Sequence, residues 1–228
     1  MKEYILAIDC CSSWTSLGLL EEGRLKGALS VDLGRRQAAE LPDMAAFFLG
    51  TLGLSVENMS LFAVVTGPGS FTGIKVGIAF TVFAAWGGGK KVIPLSSLEC
   101  MAFDGVLAGK RVAAVSWAGG GRVYAGAYLP GTEGHTPVSL VPEGAYIPKD
   151  LLESLEQIPG GAGSMEWVGD APEKYLADLA GFFPGRRITR VIPWGGRCAL
   201  LAGARRGDAC FPVDVRARYL RDPDIGAK

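Results

Sequence analysis

The residues best placed to do chemistry lie in Ala63-Val64-Val65-Thr66-Gly67-Pro68-Gly69-Ser70-Phe71-Thr72-Gly73-Ile74-Lys75-Val76-Gly77. An apolar run stops in a glycine-rich turn and restarts as a helix. Gly67, Gly69 and Gly73 permit positive φ and close approach of another group, and Ser70 and Thr72 are suited to cap the helix. A helix start of this kind presents free N–H groups and a positive dipole end to an anion, such as a phosphate or a partner's carboxylate. The same spacing also makes a tight strand-to-helix connection that holds no ligand. Catalytic motifs do not fit. A G-x-x-x-x-G-K-S/T phosphate loop fails because Thr72 stands where its second glycine belongs and Lys75 precedes Val76. A G-x-S-x-G nucleophile elbow fails because Pro68 and Thr72 flank Ser70.

A second constellation is the strand Tyr4–Asp9, which ends in a carboxylate, followed by Cys10-Cys11-Ser12-Ser13 and a returning strand Thr15–Leu20. Asp9, Ser12 and Ser13 could face a phosphate or metal, or Asp9 could simply cap its own turn. The single histidine, His135, sits in a Gly/Pro-rich loop, which argues against a His-rich metal site and a Ser-His-Asp triad. The five cysteines, Cys10, Cys11, Cys100, Cys198 and Cys210, include no C-x-x-C pair and fit a reduced, cytoplasmic setting.

The elements that must position these residues read as a mixed α/β chain of 228 residues, 49% apolar and rich in glycine (33 residues). A hairpin at Glu21-Glu22-Gly23-Arg24 leads to a strand reaching Val31. A helix spans Gln37 to Leu49, its regular part starting near Pro42. Strand 61–66, helix 72–86, strand 91–95 and helix 97–103 complete a first unit, residues 1–104. A second, abbreviated α/β unit fills 105–228: paired strands 112–117 and 122–129, helices at 149–157, 171–180 and 194–206, and strands at 167–169 and 188–192. No stretch is apolar enough to span a membrane. The formal charge is zero, yet residues 186–228 carry ten Lys/Arg against four Asp/Glu. Arg186, Arg187, Arg190, Arg197, Arg205 and Arg206 are therefore either a surface for tRNA or a solvated basic face.

Ile5-Leu6-Ala7-Ile8-Asp9 with its serine turn, the run Gly67-Pro68-Gly69-Ser70-Phe71-Thr72-Gly73 and the late Arg218-Tyr219-Leu220-Arg221 together resemble the TsaB (YeaZ) family, relatives of the TsaD glycoprotease-like proteins. The resemblance implies an actin-like, ribonuclease-H-like (ASKHA) two-lobe fold. It further implies a role in making N6-threonylcarbamoyladenosine at position 37 of tRNA, as a non-catalytic scaffold that pairs with TsaD, joins TsaE in a ternary complex and meets tRNA only indirectly. A homodimer is implied for the chain alone. It suggests that Asp9, Ser12, Ser13, Gly67, Gly69, Ser70, Thr72 and Gly73 face a nucleotide, with ATP and magnesium at most weakly held or shared at an interface. The family's partner helices correspond to 37–49 and 72–86. Met44, Phe47, Phe48, Lys75, Val76, Phe80, Phe83 and Trp86 are the interface candidates, since their apolar members exceed what one face of a small lobe buries. TsaD-type catalysts hold a metal through paired histidines, which a chain with one histidine does not supply. Two departures stand out: Gln37 replaces a histidine of the family pattern, and Ser116-Trp117-Ala118 replaces Asp-Ala-Arg. A small-molecule kinase or ATP-binding protein of the same fold is the alternative reading.

Overall fold

The structure, a computed structural model, describes residues 2–131 and 136–221. Strands β1 (Tyr4–Asp9), β2 (Trp14–Glu21) and β3 (Arg24–Asp32) form an antiparallel meander. Its β2–β3 turn places Glu22 at φ 52° and Gly23 at φ 75°, the positive pair that a two-residue hairpin needs. Helix α1 (Gln37–Thr51), β4 (Leu61–Val65), α2 (Phe71–Gly87) and β5 (Lys91–Leu95) follow. β4 pairs in parallel with β1 and β5 with β4, giving the sheet order β3-β2-β1-β4-β5.

After α3 (Ser97–Leu107) the pattern repeats. Strands β6 (Val112–Gly119), β7 (Arg122–Pro130) and β8 (Pro137–Tyr146) are antiparallel, and β9 (Glu166–Asp170) and β10 (Ile188–Arg190) add in parallel beyond β6. The order β8-β7-β6-β9-β10 reproduces that of the first sheet strand for strand. Two such mixed sheets flanked by helices make an α/β fold of two like halves. The second sheet matches the first in strand number, and only β10, with three residues against the five of β5, is shorter than its counterpart. Helices α4 (Pro148–Glu156), α5 (Leu176–Gly181) and α6 (Gly195–Ala204) complete the chain.

Alternation along β1 sorts the core. Leu6 and Ile8 point to the side covered by Leu41, Ala45, Phe48 and Leu49 of α1 and by α2. Ile5 and Ala7 point to the opposite side, against Cys100 and Phe103 of α3 and Cys198, Ala199, Leu201 and Ala202 of α6. α3 has a second apolar stripe, Leu98, Ala102 and Val106, which packs on Val112, Ala114 and Val168 of the other sheet. It therefore lies between the two sheets, while α6, late in the chain, returns to cover the first. Trp167, Phe183, Leu151 and Leu155 fill the outer face of the second sheet. Among the described residues no helix is long and apolar enough to cross a membrane.

Four local readings need correction. α1 starts at Gln37, with Pro42 inside it, because the N–H that proline lacks would have bonded only near the first turn. β8 was not expected. It is an edge strand carrying Pro137 and Pro142, and its pairing with β7 skips register around Ala125–Tyr128, so it shows no clean alternation. The helix expected from Ala171 begins only at Leu176, since Pro172 holds the chain extended and a 3-10 turn, Glu173–Tyr175, intervenes. α3 runs to Leu107, past the expected break at 103. The reading of His135 as a solvated loop residue falls outside the described residues.

Candidate functional site

A cleft of about 720 Å³ opens between the two sheets, at the ends of β1, β6 and β9. Asp9, Ser12, Ser13, Gly69 and Ser70 line it, together with Arg35 of the 3-10 turn Gly34–Arg36 and Gln37 at the start of α1. The facing wall comprises Ser116, Trp117, Tyr124, Asp170 and Arg190, with Trp194 and Arg197 at the start of α6. Of the residues read as phosphate-facing, Gly67, Thr72 and Gly73 do not line the cleft.

The glycine run is used by the chain itself. Gly69 has φ 156°, and a Cβ there would collide with the Cys11 carbonyl and lie 2.9 Å from Cys11 Cβ. A Cβ on Gly73 would collide with the Cys10 carbonyl oxygen and stand 2.9 Å from Gln37 Oε1. The turn between β4 and α2 is thus pressed onto the turn between β1 and β2. Ser70 N–H donates to Cys11 O at 2.7 Å, and Ser97 Oγ donates to Pro68 O at 2.6 Å. Ser70 Oγ accepts from Gly73 N–H at 3.2 Å and caps α2.

Asp9 is 5% exposed, and its Oδ1 accepts the Cys11 N–H at 2.8 Å. Burial pushes its pKa up, opposed by the hydrogen bonds from Cys11. Burial likewise raises the Cys10 thiol to about 12 and Cys11 well above the ordinary thiol range, so neither is an activated nucleophile. Gln37, which stands where the family pattern has histidine, donates from Nε2 to the carbonyls of Ser12 (3.1 Å), Trp14 (3.0 Å) and Cys10 (3.4 Å). It holds the Asp9 turn in shape. Among the described residues no three His, Cys, Asp or Glu side chains converge as a metal site. The Cys10–Cys11 backbone packs on the glycine turn, and one Asp9 oxygen accepts from Cys11 while Asp9, Ser12 and Ser13 line the cleft.

On the opposite wall, Ser116 is register-paired with Asp170. Asp170 accepts from Arg190 Nε at 3.2 Å, and its pKa is raised by burial against that arginine. Trp117, whose neighbour replaces the family carboxylate, stacks on Tyr175 (4.5 Å, 9°) and Phe182 (5.5 Å, 5°). Sequence reasoning singled out neither Arg35 nor Trp194 nor Asp170. Their signal was positional: Arg35 follows β3, Trp194 precedes α6 and Asp170 ends β9, and only the tertiary arrangement brings these ends to one cleft.

The basic C-terminal region is largely neutralised. Arg186 pairs with Glu156, Arg190 with Asp170, Arg197 with Asp104, Arg205 with Glu99 and Arg206 with Glu3. Five of the six arginines considered for tRNA are thus engaged internally. The interface candidates divide more sharply. Phe47, Phe83 and Trp86 are 67%, 76% and 67% exposed on the outer faces of α1 and α2. Met44, Val76 and Phe80 are half-buried at their edge, packed on the core beneath. Lys75 is exposed, with its ammonium 3.9 Å from the Phe71 ring centroid. Phe48 is instead a core residue, 6% exposed, because it closes over Gly27 of β3.

Residues 31–141 match the family model described as TsaD, tRNA N6-adenosine threonylcarbamoyltransferase. The chain is 26% identical over 153 residues to the tRNA threonylcarbamoyladenosine biosynthesis protein TsaB of Bacillus subtilis, covering 67% of this chain and 66% of that one. It is 33% identical over 98 residues to the protein of the same name from Haemophilus influenzae, covering 43% and 41%. The matched region thus spans just under two thirds of the first of these relatives and about two fifths of the second. A Pseudomonas aeruginosa crystal structure, of an uncharacterized protein with similarity to the peptidase YEAZ, superposes with TM-score 0.81 at 25% identity, covering 96% of this chain and all of that one. YeaZ from the same organism superposes with TM-score 0.78 at 24% identity, covering 96% and 100%. With its Gly67–Gly73 turn seated on the Asp9 turn, the chain is thus similar in sequence and in fold to the TsaB (YeaZ) proteins.

Proposed function

We propose that this protein takes part in threonylcarbamoyladenosine formation on tRNA as a non-catalytic partner of a TsaD-type transferase, docking through the outer faces of α1 and α2. The name of the Bacillus subtilis relative and the TsaD family model support the pathway. The observation that carries the docking reading is the exposed ridge of Phe47, Phe83 and Trp86 on two helices whose other faces form core. Large aromatic side chains left in water on adjacent helices suit the anchors of a protein interface. In this reading the same ridge supports a homodimer when the chain is alone, TsaE joins the pair, and the cytoplasm is the setting. Neutralised arginines favour indirect contact with tRNA.

The test is light-scattering chromatography of the protein with TsaD from its own organism, before and after Phe83→Asp. A heterodimer with the parent protein, lost in the variant, is expected. No association between folded partners refutes the reading. A second reading rests on the cleft, whose volume lies within the ~300–1,000 Å³ of small-molecule sites. An ATP titration with magnesium that gave tight binding and turnover would favour a kinase-like activity instead.

A further inference from the structure

The segment Val215–Arg221 carries the Arg-Tyr-Leu-Arg run and has no regular secondary structure, yet it is bonded to both halves of the molecule. On the first sheet's side Val215 is buried with the α2 core. The Arg218 N–H donates to Thr66 O at 2.8 Å, directly before the glycine turn, and the Arg218 carbonyl packs so closely on Gly67 that a Cβ there would sit 2.7 Å from it. On the second sheet's side, the Arg218 guanidinium pairs with Glu143 of β8 at 2.6 Å, and Glu143 also accepts the Tyr128 hydroxyl of β7 at 2.7 Å. Arg221 Nη1 donates to the carbonyls of Ala118 (3.1 Å) and Gly119 (3.0 Å). Leu220 packs on the cluster around Val112 and Tyr128.

These anchor points are the walls of the cleft. Pro68 and Gly69, next to the Thr66–Gly67 anchor, line one side, and Ala118 and Gly119 line the other. A third contact reaches the outer surface: Tyr219 packs on Phe71, the first residue of α2, with ring centroids 5.1 Å apart and Lys75 over the Phe71 ring. Two cationic side chains and a backbone bond on seven residues make a short, stiff link, because hydrogen bonds to charged groups are stronger than neutral ones. We propose that Val215–Arg221 is an interlobe tether that sets how far the cleft opens and couples that opening to the Phe71–Lys75 surface at the start of α2. The tether stands whether or not α2 docks a partner. An occupant of that surface would bear on Tyr219 and, through Arg218 and Arg221, on the second sheet.

The experiment uses the whole chain with Arg35→Cys and Glu173→Cys at opposite lips of the cleft, Cys210→Ser to remove the half-buried thiol, and nitroxide labels read by double electron–electron resonance. The parent is expected to give a narrow distance distribution. Arg218→Ala with Arg221→Ala should shift it to longer distance and broaden it. Glu143→Gln should do so to a lesser extent, and Arg218→Lys, which keeps the charge pair, should leave it unshifted. Phe71→Ala, which removes the tether's contact with α2, should also move it. A distribution superimposable on the parent's in folded Arg218→Ala/Arg221→Ala protein overturns the tether. If that double variant does not fold, an unmoved Glu143→Gln distribution does the same. An unmoved Phe71→Ala distribution overturns the coupling.

Discussion

Gly73→Ala tests whether the glycine turn exists for packing. The new methyl group would collide with the Cys10 carbonyl oxygen and stand 2.9 Å from Gln37 Oε1 and 3.1 Å from the Cys10 carbonyl carbon. The obstruction is backbone, so relief requires the β1–β2 turn and α2 to separate. Overpacking of this kind costs ~1–3 kcal/mol, and rigid backbone puts this site at the upper end. Separation also strains the Ser70 N–H bond to Cys11 O, one net hydrogen bond of about 1 kcal/mol. Alanine's better helix propensity offsets at most about 1 kcal/mol. A net loss of about 3 kcal/mol is expected, which for a chain of this size lowers Tm by roughly 6–12 °C. Urea unfolding followed by fluorescence measures it. Gly50→Ala is the control: nothing lies within 4 Å of its Cβ, and a gain of about 0.5 kcal/mol is expected. A Gly73→Ala protein within about 1 kcal/mol of the parent would refute the reasoning and return the turn to the role of an open ligand cradle.

Asp9→Asn should stabilise the protein at neutral pH while leaving it unchanged in acid. Burial raises the native pKa, so the native state binds the proton more tightly than the unfolded chain, and stability falls as pH rises from about 3.8 through the raised value. Equal destabilisation by Asn at every pH in a urea series would contradict this. Gln37→Leu should cost about 1–3 kcal/mol, because three carbonyls lose a shared buried donor. Calorimetry checks it, and an unaltered Tm would show that water replaces the amide. In native protein a thiol reagent should modify Cys210 at least several-fold faster than Cys10, Cys11, Cys100 or Cys198, which are all buried. Peptide mapping by mass spectrometry reads the order, and fast labelling of Cys11 would show that the cleft floor opens.

The first lobe was legible because strands such as β1 and β4 are short continuous apolar runs and its turns carry their own chemistry. Glu22–Gly23 and Ser70 behave as their residue types predict. The glycine spacing correctly marked a close approach, but which group approaches cannot be read locally: the Cys10–Cys11 backbone arrives there only through the pairing of β1 with β4. The far wall of the cleft was unreadable for the same reason, since Ser116 and Asp170 meet through the pairing of β6 with β9. Phe48 and Phe47 are neighbours in sequence, and an aromatic count cannot separate them. The helix phase does, sending one to Gly27 and the other to solvent.

The return of α6 to the first sheet also imposes an order on synthesis. Ile5, Ala7 and Leu20 emerge from the ribosome early, but one of the helices that covers them, Gly195–Ala204, is made only after the whole second sheet. A nascent chain that ends before Gly195 therefore shows an incomplete apolar face to its surroundings, and a gene fragment encoding residues 1–104 alone should give insoluble product.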